Sequence, residues 1–325
     1  MLIQFFKNNN PFAFIFLPLL TLVLWINGFV LPQNTQAQEL IPLFDFFVKI
    51  PFYTSFILPF LALVFVLSEA FLLNFIANKY EILPKSSFLP ALLYIILMSI
   101  DNSMLTLRAP VIANFLILLI VLVFLESYRK DSAFSNAFDV GALSSIATLF
   151  YPPTIVLLPV LGIGLLVMRP FNWRDWIICL IGIFTPYLFV CAYYFLNGQL
   201  ESLGIISFFY SNLNHPINPS SALISIFGIV SLIILLSLGD VSNNLRGGSQ
   251  KKSKSTLLFI WIALFSPFSL YMLSSISFSS FSLFIIPTSI FCALYLSNVK
   301  KKWWGEFLFA ILFISVIVNL MSVYF

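Results

Sequence analysis

Charged residues are scarce in this chain. Of its 325 residues, 9% are Asp, Glu, Lys or Arg and 61% are hydrophobic, whereas a typical soluble domain is about 25% charged. A soluble globule of this length would need a charged surface that these few residues cannot supply. The scarcity excludes a soluble domain, and the apolar content excludes a disordered chain. An outer surface that faces lipid explains both features.

Histidine and cysteine are also rare, with one histidine and three cysteines in the whole chain. The cysteines show no CxxC spacing, and no HExxH motif is present. These absences exclude a clustered metal site, an iron oxygenase that needs several histidines and a disulfide framework. The GxxxxGK[ST] phosphate-binding loop is missing too, which argues against an ATPase. Neither a metal, a cofactor nor a nucleic-acid partner is predicted.

Long apolar runs are what the sequence has instead. A helix that spans a bilayer needs about 20 predominantly apolar residues, and we find eleven candidate runs, at residues 11–31, 52–77, 87–100, 110–125, 140–150, 153–168, 176–196, 220–238, 256–275, 281–296 and 306–324. The predicted fold is therefore all-α, a polytopic transmembrane bundle of 10–11 helices forming one domain over residues 1–325. Tyr151-Pro152-Pro153 interrupts residues 140–168, which leaves open two crossings or a re-entrant hairpin.

The positions of the basic residues predict an orientation. If the chain alternates across the membrane, fourteen of the 16 Lys and Arg residues fall on one side, and only Lys49 and Arg108 fall on the other. Basic residues near helix ends favour the cytoplasmic side. The N-terminus is therefore predicted to be cytoplasmic and the C-terminus periplasmic, with outer loops at 32–51 and 197–219. Residues 239–255 are predicted to form a flexible basic cytoplasmic loop, and binding to anionic lipid headgroups is its functional alternative.

Polar groups in the predicted outer loops are the candidates for chemistry. Glu39, Asp45 and Lys49 lie in the first outer loop. Asp101 and Arg108 lie between the third and fourth apolar runs, and His215 lies in the loop 197–219. Such a set suits an enzyme that acts on a lipid-linked phosphate. Asp45 or Glu39 would be the catalytic base, and the other four would bind phosphate or substrate. The alternative interpretation is an ordinary set of solvated loop residues.

Glu69 is an acidic residue within an apolar run. Ionisable groups inside a membrane are costly and are functional candidates by default. Glu69 lies toward the predicted cytoplasmic end of its helix, so a snorkelling or helix-capping role is favoured. No relay of acidic residues and histidines crosses the bilayer, which argues against a proton-coupled transporter.

Several stretches resemble an uncharacterised family of multi-spanning inner-membrane proteins from Bacteroidota. They include residues 41–45, 73–78, 88–94, 110–114, 138–141, 149–153 and, most specifically, Arg-Pro-Phe-Asn-Trp-Arg-Asp-Trp at 169–176. The resemblance extends to about Gly198 and weakens beyond it. It implies a multi-pass protein of the bacterial inner membrane. The last stretch is interpreted as a structural cytoplasmic motif that pins a turn through Arg169, Asn172, Trp173, Arg174 and Asp175.

The architecture is also similar to multi-spanning glycosyltransferases that use a polyprenyl-phosphate-linked sugar. In those families an acidic residue of the first outer loop is catalytic, and only Glu39 and Asp45 match that position. Three functions therefore stay open. The first is a membrane component of a cell-envelope complex or assembly pathway, with membrane lipids and other envelope proteins as partners. The second is a glycosyltransferase-like enzyme that binds a polyprenyl-phosphate lipid, and the third is a transporter or lipid-handling protein.

Overall fold

The computed structural model describes residues 2–7, 11–30, 56–128, 130, 133–198, 221–247, 249–272 and 278–322. All regular secondary structure in these residues is helical, which confirms the all-α prediction. The α-helices are α1 (Leu2–Lys7), α2 (Pro11–Leu24), α3 (Ile26–Val30), α4 (Ile57–Lys79), α5 (Leu89–Met98), α6 (Ala109–Ser127), α7 (Phe134–Phe150), α8 (Leu158–Met168), α9 (Trp173–Leu196), α10 (Ser221–Gly247), α11 (Gln250–Phe265), α12 (Ser282–Asn298) and α13 (Lys302–Met321).

Seven helices of the described chain are long and apolar enough to cross a membrane: α4, α6, α9, α10, α12, α13, and α11 with the turn that follows it. They define a multi-pass α-helical membrane protein. Other predicted spans are shorter. The ten residues of α5 extend about 15 Å, well short of the roughly 30 Å hydrocarbon layer. The count of eleven crossings and the orientation therefore stay predictions.

The centre of the bundle is built from α5 and α12. Every residue of α5 is buried, and so are fourteen of the residues of α12. A helix that is apolar on all sides is stable only when other helices cover all of it. The two helices pack against each other, and α4 and α10 cover them. The polar groups that these central helices carry are consequently removed from both lipid and water.

One end of the bundle collects basic side chains, and we call it the basic end. Lys79 at the end of α4 forms an ion pair with Glu126 on α6, at 2.9 Å from Nζ to Oε1. The first turns of α11 reach the same place, because Lys251 donates to the carbonyl oxygen of Lys79 at 2.8 Å. Lys254 likewise donates to the carbonyl oxygen of Met168 at 3.3 Å. Four helix ends therefore meet here through hydrogen bonds.

Hydrogen bonds between distant segments also close the opposite end. Trp25 lies in the turn between α2 and α3. Its indole N–H donates to the Oγ of Ser99, just after α5, at 3.0 Å. Asn319 near the end of α13 donates to the carbonyl oxygen of Ile100 at 2.8 Å. The connection between α5 and α6 is thus held by hydrogen bonds to the turn between α2 and α3 and to α13.

Most of the segment 239–255, predicted as a flexible loop, is helical. α10 continues to Gly247, nine residues beyond the predicted end of the apolar run, and α11 begins at Gln250. Two hydrogen bonds stabilise the helices beyond their apolar residues. Asn244 donates to the carbonyl oxygen of Ile82 at 3.0 Å, and the Ser249 hydroxyl accepts from the Lys252 N–H at the start of α11. The turn is short because these bonds hold both helix ends.

The chain is also helical where Tyr151-Pro152-Pro153 interrupts the apolar run. Residues Pro152–Leu157 form a 3₁₀-helix that leads directly into α8, since proline fits the first positions of a helix, where no N–H is needed. α7 begins at Phe134 rather than at residue 140. The crossing or re-entrant character of this segment stays open.

α9 lies at the edge of the bundle and packs mainly against α7. A glycine seam joins the two helices. A Cβ atom at Gly141 would overlap the carbonyl oxygen of Cys179, and one at Gly182 would overlap that of Phe138. Small residues let membrane helices approach backbone to backbone. Beyond this seam, α9 exposes bulky apolar side chains such as Phe184, Leu188 and Phe189.

Candidate functional site

The carboxyl group of Glu69 is the most unusual feature of the bundle interior. Glu69 lies midway along α4 and is fully buried, with 0% of its surface exposed. The Tyr94 hydroxyl on α5 donates a hydrogen bond of 2.8 Å to Glu69 Oε2. A snorkelling or capping role for Glu69, favoured by the sequence, is wrong, since the side chain reaches neither the surface nor a helix end.

The hydrogen bonds continue from Tyr94 to two further helices. Asn114 on α6 donates through Nδ2 to the Tyr94 hydroxyl at 3.3 Å. The same Nδ2 donates to the carbonyl oxygen of Ser282 at the start of α12, at 3.0 Å. We call Glu69, Tyr94, Asn114 and Ser282 the buried carboxyl site. It connects α4, α5, α6 and α12 at the centre of the bundle.

The donors of Tyr94 and Asn114 are used, but three oxygen atoms of the site have no partner among the described residues, and one of them is the hydroxyl of Ser282, which can both donate and accept. Tyr94 gives its one hydroxyl proton to Glu69, and Asn114 uses its amide nitrogen twice. Glu69 Oε1, Asn114 Oδ1 and Ser282 Oγ have no hydrogen-bond partner within the described part of the chain, although the carboxyl group lies against the backbone of Phe115. A buried carboxylate without a counter-charge is very costly. The site therefore needs a proton on Glu69, or water or a small cation at the free oxygens.

The predicted outer site is only partly within the described residues. Asp101 Oδ2 accepts from the Ser103 N–H at 2.9 Å and so caps a short 3₁₀-helix. Arg108 is half-buried and immediately precedes α6. The two residues belong to one connection, at the end of the bundle opposite the basic end. Glu39, Asp45, Lys49 and His215 lie outside the described residues, so their catalytic or binding roles stay predictions.

The motif at 169–176 organises the turn between α8 and α9 at the basic end. The Arg169 guanidinium pairs with the Asp175 carboxylate at 3.0 Å, with side-chain exposures of 15% and 6%. Asn172 Oδ1 accepts from the Arg174 N–H at 3.2 Å and caps α9. Trp173 and Arg174 themselves point outward, with the guanidinium 5.8 Å from the Trp173 ring centre. The geometry is that of a fixed turn between two helices.

Arg169→Ala is expected to destabilise the protein by about 1.5–3 kcal/mol, because it leaves a buried carboxylate without its charged hydrogen-bond partner. The matched control is Glu126→Ala. It breaks the Lys79–Glu126 pair, whose side chains are 37% and 40% exposed, and exposed pairs contribute less than about 1 kcal/mol. Unfolding in a mild detergent, followed by tryptophan fluorescence, measures both. Equal losses in the two variants would refute a structural role for the Arg169 pair.

Sequence reasoning missed three members of the buried carboxyl site. Tyr94, Asn114 and Ser282 look like ordinary members of apolar segments. The available signal was Glu69 itself, because a carboxyl group in an apolar run requires hydrogen-bonding partners from neighbouring helices. Polar residues near the middle of the other runs, with Asn114 as the clearest example, were the candidates for that role.

The fold and the buried polar centre together define a multi-pass membrane protein built around an intramembrane hydrogen-bond network. The chain belongs to a family of unknown function, DUF6427, whose profile matches residues 40–324. The match confirms membership of an uncharacterised family, and it continues far beyond Gly198, where the resemblance seen in the sequence weakens. No curated protein and no solved structure matches the chain.

Proposed function

We propose that the chain is a membrane-embedded component of a cell-envelope complex or assembly pathway in the bacterial inner membrane. The observation that carries the proposal is the one-sided packing of α9. This 24-residue helix fully buries only Asp175, Cys179 and Gly182, and it exposes bulky apolar side chains such as Phe184, Leu188 and Phe189. Such a surface suits the transmembrane helix of a partner protein, which would pack on it by side-chain contacts.

The interior supports a scaffolding role. The buried carboxyl site and the bonds at both bundle ends join helices that are far apart in sequence, such as α2 with the turn after α5 and α13 with the same turn. Buried polar groups that are hydrogen-bonded across helices favour one fixed arrangement. A bundle of this kind presents a constant outer surface to its partners.

Co-purification tests the proposal directly. The full-length protein, extracted from its native membrane in a mild detergent, is expected to retain at least one membrane protein in fixed stoichiometry. Leu188→Ser and Phe189→Ser on the exposed face of α9 are expected to release that partner, while Ile314→Ser on the exposed face of α13 serves as the control. A protein that is recovered alone under these conditions contradicts the proposal.

A glycosyltransferase-like enzyme is the second candidate, and the position of Arg108 favours it. Arg108 is half-buried at the end of the bundle opposite the basic end. A guanidinium in that position is suited to bind a lipid-linked phosphate. Mass spectrometry of lipids that co-purify with the protein tests this candidate. A polyprenyl-phosphate species bound to the wild type and lost in Arg108→Gln supports the enzyme, and its absence from the wild type contradicts it.

A further inference from the structure

A cavity of about 190 Å³ opens at the basic end, between α1, the end of α12 and the start of α13. Its lining combines apolar side chains, among them Ile3 and Leu296, with the polar side chains of Gln4, Lys7, Lys302 and Glu306. A water molecule requires about 15 Å³ by this kind of measure, so the space admits a group several times larger. We call it the lysine cavity.

The position of α1 makes the cavity a defined feature of the fold. Phe6 is 1% exposed and sits in the core cluster. Its carbonyl oxygen accepts from the Phe88 N–H at 2.9 Å, just before α5. α1 also packs against α13. Lys7, which lines the cavity and is half-buried, is therefore carried on an anchored helix.

The charge around the cavity is unbalanced in favour of cations. Burial lowers the pKa of Lys7, and the nearby charges of Lys85 and Lys302 lower it further. Among the described residues, Glu306 is the one carboxylate that lines the cavity. Three ammonium groups near one carboxylate repel each other, and a bound anion would relieve that repulsion.

The surroundings place the cavity at the depth of lipid headgroups. Trp303 and Trp304 follow directly in α13 and are both exposed, at 73% and 39%. Exposed tryptophans beside lysines are typical of the boundary between the acyl chains and the headgroups. A lining that combines apolar side chains with lysines suits a lipid headgroup, whose phosphate would bind the lysines.

We propose that the lysine cavity binds a phosphate group, presented by an anionic lipid headgroup or as free phosphate. The phosphate oxygens accept charge-assisted hydrogen bonds from Lys7 and Lys302, with Gln4 as a neutral donor. This site is separate from Asp101 and Arg108 of the predicted outer site, since those two residues lie at the opposite end of the bundle.

Lipid nanodiscs of defined composition test the proposal and separate the two sources of phosphate. The full-length protein is placed in phosphatidylcholine alone, in phosphatidylcholine with added inorganic phosphate, and in phosphatidylcholine mixed with phosphatidylglycerol. We expect a higher unfolding temperature in the second or third condition. A gain in the second identifies free phosphate as a ligand, and a gain only in the third identifies the headgroup. No gain in either condition overturns the proposal.

Three single substitutions distinguish a built site from general attraction to a basic surface. Lys7→Gln and Lys302→Gln are each expected to weaken binding at least about tenfold, as for loss of a charge-assisted hydrogen bond. Lys301→Gln removes the same charge one residue away, outside the cavity, and is expected to weaken binding about fivefold or less. Equal losses in the three variants would overturn the proposal.

Glu306→Gln tests the proposal through an expected gain in phosphate affinity. Removal of the one carboxylate that lines the cavity lowers the repulsion of an anion and is expected to tighten binding. This variant removes no lysine, so a gain in affinity cannot be explained by damage to the fold. A loss of affinity in Glu306→Gln would contradict the proposed charge balance, whatever the behaviour of the lysine variants.

Discussion

Gly141→Ala is expected to loosen α9 from α7 and to destabilise the protein by about 1–3 kcal/mol or more. The added methyl group would overlap the Cys179 carbonyl oxygen, which belongs to a helix backbone and cannot rotate away. Overpacking of a close contact costs about this much. The effect should be large because α9 has little other contact with the described bundle. Thermal unfolding in a mild detergent measures the change.

Gly228→Ala on α10 is the matched control, since in the described chain no atom beyond its own stretch of helix backbone lies within 4 Å of the added Cβ and alanine favours helix more than glycine does. It should leave stability unchanged or slightly raise it. Cysteine labelling adds a local readout. Cys179 is buried in the α7–α9 seam and Cys292 is buried in α12, so Gly141→Ala should speed alkylation of Cys179 but not of Cys292. Unchanged Cys179 labelling together with unchanged stability would refute the tight seam.

Much of the fold class follows from composition, but the bounds of the helices do not. Long apolar runs require lipid-facing helices, because nothing else in a bilayer satisfies the backbone. The same runs cannot show where a helix continues through polar residues. α10 extends past Leu238 through Asp240 and Asn244 because bonds to other segments hold it. The turn at Trp25 divides the first run for a similar reason, since the indole bonds to Ser99.

The buried carboxyl site shows the same limit for candidate function. Glu69 is visible in the sequence as an acidic residue in an apolar run. Its partners lie 25, 45 and 213 positions further along the chain. Periodicity within one helix cannot identify them, because helix packing alone decides which side chains meet. The polarity of the outer loops is visible in the sequence. The hydrogen bonds that connect Glu69, Tyr94 and Asn114 in the described interior are not.

Glu69→Leu is expected to destabilise the protein by about 1–3 kcal/mol, because the buried Tyr94 hydroxyl would lose its acceptor. Glu69→Gln should cost much less, since the amide oxygen still accepts from Tyr94. Asn74→Leu is the control on the same helix. Asn74 is buried and its Oδ1 has no partner among the described residues, so this change should be neutral or stabilising. Unfolding in nanodiscs measures all three.

A double-mutant cycle with Tyr94→Phe shows whether Glu69 acts through that hydroxyl. If it does, Glu69→Leu and Tyr94→Phe together should cost less than the sum of the single changes by at least about 0.6 kcal/mol. Additive losses would contradict the hydrogen bond as the source of stability.

The effect of sodium on the unfolding temperature distinguishes a structural role of the buried carboxyl site from a role in ion transport. A proton on Glu69 makes the network independent of the salt cation, so replacing choline chloride with sodium chloride should leave the unfolding temperature of the wild type unchanged. A sodium-dependent rise that Glu69→Gln abolishes would instead show that the free oxygens of Glu69, Asn114 and Ser282 hold a cation. That result would favour a transporter over a scaffold, because ionisable residues that hold an ion inside the membrane are typical of ion pathways.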